Sequence, residues 1–365
     1  MTRGHRLLIL VGLGLLAAPS AWGWGEKGHR LVNRLAAQSL PREMPLFFRR
    51  AVLELEYLGY DPDRWRSPAE PALNAVNAPD HFINLEYVEG RAFPPDRYQF
   101  LHGLIERGLV RGEVALTTVG FLPYRIVELA ELLRVQFRLW RQAPHRTARE
   151  RAERHQIERN IIVIAGVLGH FVADGAQPHH TTVHYDGWNT AFAPNPRGYT
   201  TERGIHLRFE NDFVNEAIRE SDVRSRLRPP RRLGPLFEET MRYLRESHAR
   251  VDQLYELDRQ GGFAPGSTHP EAKRFAAERL AAAAHLLASI WYTAWVESAS
   301  PSVPDASSSS PAPSVTAPKG DRRIEGANTE DQDVERMQSG SPAAAQDAAR
   351  ECGACGARLA VGSSP

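Results

Sequence analysis

Cysteine is almost absent from this chain of 365 residues. Only Cys352 and Cys355 occur, and both lie in a C-terminal stretch rich in Ser, Pro, Ala and Gly. A disulfide-stabilised core is therefore excluded, and the rest of the chain must be held together by buried apolar side chains or by metal. The two cysteines form a single C-x-x-C, and a zinc site of that type needs a second pair, which the sequence lacks.

Three other features are absent or weak: net charge, an apolar run of membrane-spanning length, and strand alternation. The net charge is only +1 although 24% of the residues are charged, which argues against a protein that grips nucleic acid mainly by charge. The apolar run at residues 7–18 is too short to span a bilayer as a helix. Regular strand alternation is hard to find.

The start of the chain has the pattern of a secretory signal peptide: a basic beginning, the apolar run, and a small-x-small cleavage site at residues 21–23. We expect residues 1–23 to be removed and the protein to be secreted or periplasmic. Trp24 would then carry a free amine, which together with its own carbonyl can chelate a metal ion that His29 also binds. An arbitrary start followed by a loop explains the same residues.

The composition divides the remainder into a folded part and a tail. Residues 300–365 contain too little apolar surface to offset their ordering entropy, which predicts a disordered low-complexity tail. Residues 24–299 are predicted to form an all-α, single multi-helix domain. We expect about seven or eight helices, with long loops at 58–80 and 180–201. The helical spacing of apolar residues is clearest over 30–38, 124–142, 151–174, 205–220, 233–258 and 270–297.

Two pairs of side chains have the spacing of helical metal ligands. His170 and Asp174 stand four residues apart on the most apolar predicted helix, and His206 and Glu210 repeat that spacing. Either pair alone is explained equally well by a hydrogen-bonded core histidine or by a solvated helix pair. Two such pairs, with histidines between them, favour metal binding.

These residues resemble the superfamily that joins zinc-dependent phospholipase C to the single-strand-specific type I nucleases. Five short stretches distributed over nearly all of the folded part carry the resemblance. They are Trp24-Gly-Glu-Lys-Gly-His29, Asp63-Arg-Trp-Arg66, His81-Phe-Ile-Asn84, His170-Phe-Val-Ala-Asp174 with Gln177-Pro-His-His180, and Gly204-Ile-His206-Leu-Arg-Phe-Glu210.

The resemblance implies three Zn²⁺ ions per chain, and it assigns each ion a ligand set. The sets are Asp63, His81, His170 and Asp174 for one ion; the Trp24 amine and carbonyl, His29 and the shared Asp174 for a close neighbour; and His180, His206 and Glu210 for the third. Asp61 is an alternative to Asp63. His180 is preferred to His179 because it keeps the family's spacing from Asp174.

The implied reaction is hydrolysis of a phosphodiester by a zinc-bridged hydroxide, in which Asp63 and Asp174 act through the ions. Arg66 matches the nuclease pattern D-x-x-R and is assigned to the charge that develops on the phosphate, although a surface arginine explains it too. Trp188 and Asn189 are candidate substrate contacts, since an aromatic ring can stack on a base. Packing of Trp188 within its loop is the alternative.

Two substrates fit this pattern. The spacing of Trp24 and His29 and the position of Arg66 are typical of the nucleases, whereas Glu210 in place of aspartate is typical of phospholipase C. We favour an endonuclease that acts on single-stranded DNA or RNA, with a phospholipase C that acts on phospholipid head groups as the alternative. A non-catalytic zinc-stabilised binding protein would need a broken ligand set, and none is evident. No stable protein partner is implied.

The proposed N-terminal ligand leads to a first prediction. Retaining one residue before Trp24, as in a protein that starts Met-Trp24, converts the amine into an amide, which is a poor metal ligand. We expect hydrolytic activity to collapse while the helix content measured by circular dichroism stays near that of the processed protein. Equal activity and equal metal loading of the two forms would contradict a role for the Trp24 amine.

Overall fold

The computed structural model describes residues 24–88, 90, 93–108 and 118–299. Within these ranges the protein is built from helices and connecting turns and contains no strand, which confirms the all-α prediction. The predicted signal peptide, residues 1–23, and the predicted tail, residues 300–365 with Cys352 and Cys355, lie outside the described residues. Both stay predictions.

Fourteen α-helices are formed across the described ranges. They are α1 (Gly25–Gln38), α2 (Leu46–Arg50), α3 (Val52–Leu58), α4 (Asp61–Arg64), α5 (Pro71–Asn77), α6 (Arg97–Glu106), α7 (Leu122–Gln142), α8 (Ala148–Ala176), α9 (Ile205–Leu207), α10 (Val214–Ala217), α11 (Glu220–Arg224), α12 (Leu236–His248), α13 (Val251–Arg259) and α14 (Pro270–Glu297). Three 3₁₀ turns, Ala78–His81, Leu85–Tyr87 and Pro178–Thr181, and a π-helical turn, Arg208–Phe213, complete the helical segments.

The long helices were predicted well and the short ones were not. The predicted loop at 58–80 contains α4 and α5, because segments of four to seven residues are too short to show a helical period. The predicted helix over 233–258 is interrupted between α12 and α13. The predicted count of seven or eight helices is therefore wrong, while the region after Thr181 is irregular as expected.

Helix α8 is the centre of the fold. It packs against α7, α14, α3 and α1, and its second half is almost completely buried. The helix begins at a capping box in which Thr147 and Glu150 satisfy each other's backbone N–H groups. Among the described helices α8 alone is long and apolar enough to cross a membrane by length and composition, and 72% of its most apolar window is buried inside the protein.

Two glycines let neighbouring helices approach α8 closely. A Cβ atom added to Gly169 would lie 1.9 Å from Asn33 Oδ1, and one added to Gly166 would lie 2.4 Å from the Leu58 Cβ. In the space that the glycines leave, the Asn33 side chain of α1 donates to the carbonyl oxygens of Leu55, at 2.8 Å, and Gly166, at 2.9 Å. One buried amide thus ties α1, α3 and α8 together.

This close approach can be tested with Gly169→Ala. The added methyl group collides with a buried, hydrogen-bonded amide, so we expect a loss of about 3 kcal/mol in the free energy of unfolding measured in urea. Gly103→Ala on α6 is the matched control, because the nearest atoms to its added Cβ are 4.0 Å away. That variant should gain up to about 1 kcal/mol from helix propensity. Equal effects of the two substitutions would disprove the packing role of Gly169.

Candidate metal centre

The candidate site lies at the C-terminal end of α8, where His170 and Asp174 occupy the last two turns. Two side chains from outside α8 fix this end of the helix. The indole N–H of Trp24, just before α1, donates to the Ala173 carbonyl, and the Tyr243 hydroxyl of α12 donates to the Val172 carbonyl, both at 2.7 Å. The C-terminal end of a helix carries partial negative charge. The position therefore favours a cation.

A first cluster brings Asp63, His81 and His170 together, with Asp174 beside them. The His170 Nε2 atom is 3.7 Å from Asp63 Oδ1 and 3.3 Å from Asp174 Oδ2. The His81 Nδ1 atom is 2.9 Å from Asp174 Oδ2 and 3.9 Å from Asp63 Oδ1. All four side chains are buried, so these nitrogen and oxygen atoms face one another rather than solvent.

A second cluster joins His29 of α1 to His170 and Asp174. The His29 ring stacks on the His170 ring with 3.9 Å between the ring centroids, and its Nε2 atom is 3.5 Å from Asp174 Oδ1. Asp174 therefore turns Oδ2 to the first cluster and Oδ1 to the second. One buried carboxylate thus contacts imidazoles of both clusters. Trp24 is fully buried at the start of α1, and the role of its amine stays a prediction.

A third cluster consists of His180, His206 and Glu210. The Glu210 Oε2 atom is 2.7 Å from His206 Nε2 and 3.7 Å from His180 Nε2, and the two imidazole nitrogens are 3.1 Å apart. His180 also links this cluster to the other two, because its Nδ1 atom is 3.7 Å from Asp174 Oδ1.

Backbone carbonyls define the protonation of three of these histidines. The Nδ1 atom of His170 faces the Gly59 carbonyl at 2.9 Å, that of His180 the His81 carbonyl at 2.6 Å, and that of His206 the Tyr185 carbonyl at 3.0 Å. A carbonyl only accepts, so each Nδ1 atom carries the proton and each Nε2 atom directs a lone pair into its cluster. Converging lone pairs need a cation between them, and metal-binding histidines are commonly oriented in this way.

Several polar atoms of these clusters have no hydrogen-bond partner although they are buried. They are both carboxylate oxygens of Asp63, both ring nitrogens of His29, Asp174 Oδ1 and Glu210 Oε1. A buried polar atom left without a partner costs about 1–3 kcal/mol, so a concentration of them in one place needs an explanation. Imidazole nitrogens and carboxylate oxygens without thiolates fit Zn²⁺.

Burial shifts the acid–base behaviour of these groups toward their neutral forms. It raises the pKa values of Asp63 and Asp174 and brings the pKa of Glu210 to about 7. It lowers the pKa of His29 well below the usual range and that of His206 to about 4. Neutral histidines are ready to bind metal, whereas the ionised carboxylates need a nearby cation to offset the cost of burying their charge.

A cleft of about 360 Å³ opens beside the first and third clusters. Its lining residues are Arg66, Ala78, His81, Phe82, Asn84, Thr118, His179, His180, Tyr185 and His206. The Arg66 guanidinium is 4.0 Å from Asp63 Oδ1. A positively charged group thus stands beside the candidate ion sites, at the surface where a substrate can enter.

The members of the two residue pairs left as alternatives by the sequence have different surroundings. Asp63 is buried within the first cluster, whereas Asp61 forms an ion pair with Arg64 at 2.9 Å near the surface. His180 belongs to the third cluster, whereas the neighbouring His179 is buried against the side chain of Gln177.

The two candidate substrate contacts lie among packing interactions. Trp188 stacks on His184, with ring centroids 3.9 Å apart, and its indole N–H donates to the Pro194 carbonyl. Asn189 is exposed and accepts a hydrogen bond from the backbone of Ala191. These contacts match the loop-packing alternative for Trp188, and a substrate role for either residue stays a prediction. Tyr185, at 44% exposure, does line the cleft.

Sequence reasoning missed two residues that support the ligands. The Gln177 side chain donates to Glu210 Oε2 at 3.0 Å. The Asn77 side chain donates to the Pro62 carbonyl at 3.0 Å and contacts His81 Nε2 at 3.2 Å, so it links the turn that carries Asp63 to His81. Gln177 lies within a segment already singled out by the resemblance, whereas nothing in the sequence marks Asn77.

No protein-family model matches this chain, and no curated protein sequence does. Among solved structures, the chain is similar to an alpha-toxin of Clostridium perfringens isolated from an avian strain, with 11% sequence identity and a TM-score of 0.31. The alignment covers 76% of this chain and 65% of the toxin chain, which is less than two thirds of the toxin's length. So weak a likeness supports no conclusion about function.

For the buried Glu210 carboxylate we predict that removing its charge changes the melting temperature in opposite directions with and without zinc. Because burial raises its pKa from 4.5 to about 7, the metal-stripped protein should lose stability as the pH rises through that interval. The difference corresponds to roughly 3 kcal/mol. Above pH 7 the uncharged Glu210→Gln variant should therefore melt at a higher temperature than the wild type in a chelator. With zinc it should melt at a lower temperature, because a ligand has been lost.

The control is Asp212→Asn, which makes the same carboxylate-to-amide change at an exposed position of the same π-helical turn. It should shift the melting temperature little in either condition. If Glu210→Gln shifts it in the same direction with and without zinc, Glu210 is not a metal ligand.

Proposed function

We propose that the protein is a secreted zinc-dependent phosphodiester hydrolase and that it cleaves single-stranded DNA or RNA as an endonuclease. One observation carries the proposal. Three buried clusters direct lone pairs and unpartnered carboxylate oxygens inward, Asp174 faces two of them, and Arg66 and side chains of the clusters line a cleft beside them.

The proposed mechanism assigns a role to each residue of the three clusters. The proposed ligands are the Trp24 amine and carbonyl, His29, Asp63, His81, His170, Asp174, His180, His206 and Glu210. Zinc ions bound there would neutralise the phosphodiester and lower the pKa of bound water to about 7, which supplies a nucleophile at neutral pH. Asp174 presents one oxygen to each of two clusters and so holds two ligand sets at a fixed separation.

Arg66 has the position of a substrate-binding cation. Its side chain lines the cleft next to Asp63 and is 20% exposed. A planar guanidinium donates two parallel hydrogen bonds to neighbouring phosphoryl oxygens and stays charged at every pH that matters here. We assign it to the phosphate, where it would also stabilise the additional negative charge of the transition state.

The nuclease is favoured over a phospholipase C by three features. These are the spacing of Trp24 and His29, the position of Arg66 three residues after Asp63, and the exposed Tyr185 ring at the cleft, which offers a face on which a base can stack. Glu210 in place of aspartate, with the sequence around it, favours the phospholipase C. Every proposed ligand is present, which argues against a non-catalytic zinc-stabilised binding protein.

The proposal is tested on the processed protein, which should contain about three zinc ions by elemental analysis. Single-stranded DNA, RNA and phosphatidylcholine are then compared side by side at equal enzyme concentration. Cleavage of a nucleic acid that stops on chelation and returns with zinc supports the proposal. Release of a phosphorylated head group alone would replace the nuclease by a phospholipase C, and one ion or fewer per chain would disprove the zinc site.

Asp174→Asn separates catalysis from folding. The variant keeps the size of the side chain but removes the charge that faces two clusters. We therefore expect turnover to fall more than about 100-fold. Loss of a residue that only hydrogen-bonds to a metal ligand typically lowers activity by about 10- to 100-fold. Turnover is measured per folded molecule, with Asp212→Asn as the control. If Asp174→Asn melts early yet keeps wild-type turnover, the pair His170 and Asp174 has only a core role and the proposed mechanism is wrong.

A further inference from the structure

A second carboxylate supports the third cluster without belonging to it. Asp186 lies in the irregular segment between the 3₁₀ turn at Pro178–Thr181 and helix α9, and its Oδ1 atom accepts hydrogen bonds from two backbone N–H groups. These are the N–H of Gly204, at 2.7 Å, and the N–H of His206, at 3.3 Å. The Asp186 side chain therefore holds the start of α9, which contains His206 and continues into the π-helical turn with Glu210.

The residue before Asp186 holds the imidazole of the same histidine. The Tyr185 carbonyl accepts from His206 Nδ1 at 3.0 Å, which leaves His206 Nε2 facing Glu210 Oε2 at 2.7 Å. One dipeptide thus fixes both the backbone and the ring of a proposed ligand. Neither contact reaches the first or second cluster.

The dipeptide is itself held in place. The Gly187 N–H donates to the Tyr255 hydroxyl at 3.1 Å, and that hydroxyl donates to the His184 carbonyl at 2.6 Å. Gly187 has a φ angle of +107°, and a Cβ atom there would lie 2.8 Å from the Thr201 carbonyl oxygen. The segment that carries Asp186 is consequently anchored on both sides, so its carboxylate can act as a fixed support.

The support matters because the first ligand of this helix lies in its first turn, where backbone N–H groups have no helical partners. Gly204, just before the helix, has a φ angle of +106°. Without an acceptor for its N–H and that of His206, this turn is free to fray. Since His206 lies in α9 and Glu210 in the π-helical turn that directly follows it, fraying would separate the atoms that must converge on one ion.

We propose that Asp186 is a positioning residue that sets the metal affinity of the His180, His206 and Glu210 cluster and leaves the other two clusters unaffected. The proposal rests on the proposed function only in that the protein binds zinc there. It requires neither a nucleic acid nor a lipid substrate. The competing explanation is an ordinary helix cap, whose loss lowers stability without changing the metal content.

The test compares Asp186→Ala, which removes the acceptor, with Asp186→Asn, whose amide oxygen still accepts both N–H groups. The control is Asp212→Ala, which removes an exposed carboxylate from the π-helical turn that contains Glu210. Zinc content is measured on the purified full chain by elemental analysis over a series of chelator concentrations. Melting temperatures are recorded for the zinc-loaded and the fully stripped forms.

For Asp186→Ala we expect one ion per chain to be lost at a chelator concentration about 10- to 100-fold lower than in the wild type, with the other ions retained. Asp186→Asn and Asp212→Ala should behave like the wild type. The melting temperature of Asp186→Ala should fall more in the zinc-loaded form than in the stripped form, because its main defect is in binding. If Asp186→Ala does not fold, Asp186→Glu, which displaces the carboxylate, is expected to weaken the same site.

This proposal is overturned if Asp186→Ala keeps all the zinc of the wild type, resists the chelator equally well, and shows equal melting shifts in the loaded and stripped forms. That outcome leaves the proposed function intact. A wild-type protein that takes up no zinc overturns the proposed function, and this proposal with it.

Discussion

The placement of one buried carboxylate, Asp174, governs the arrangement of the whole centre. Its two oxygens face different clusters, His81 and His170 on one side and His29 on the other, and the side chain is completely shielded from water. An isolated charge in such a position is costly, and burial accordingly raises its pKa. A cation close to both oxygens would make an ionised Asp174 favourable here, so the proposed metal binding and the geometry of the site depend on each other.

The rest of the fold can be understood as the means of bringing distant residues to that carboxylate. Gly169 precedes His170 on α8, and the space beside it admits Asn33, which ties α1 to α8 and thereby places His29 against His170. At the start of α1, the Trp24 indole N–H also joins α1 to α8 by donating to the Ala173 carbonyl. Core packing and site geometry are therefore one set of interactions, and a change in the packing of α1 against α8 changes the ligand set.

The sequence predicted those parts of the centre that depend on local periodicity. His170 and Asp174 are four residues apart, so a single helix brings them together whatever surrounds it. Asp63 and His81 come from short helical segments whose positions depend on tertiary contacts such as the one made by Asn77, and only the family resemblance pointed to them. The support from Asn33 and the glycines of α8 could not be predicted, because it depends on which helices meet rather than on any pattern within one helix.

The ligands and the substrate are determined by different parts of the structure. The proposed ligand atoms lie on buried helical segments, whereas the cleft is also bordered by residues outside the helices, among them Asn84 and Tyr185. Loop residues of this kind can vary while the helices that carry the ligands keep their packing. Under the proposed function, the choice between a nucleic acid and a phospholipid therefore depends on the groups at the cleft that contact a base or a lipid head group, and not on the proposed ligands.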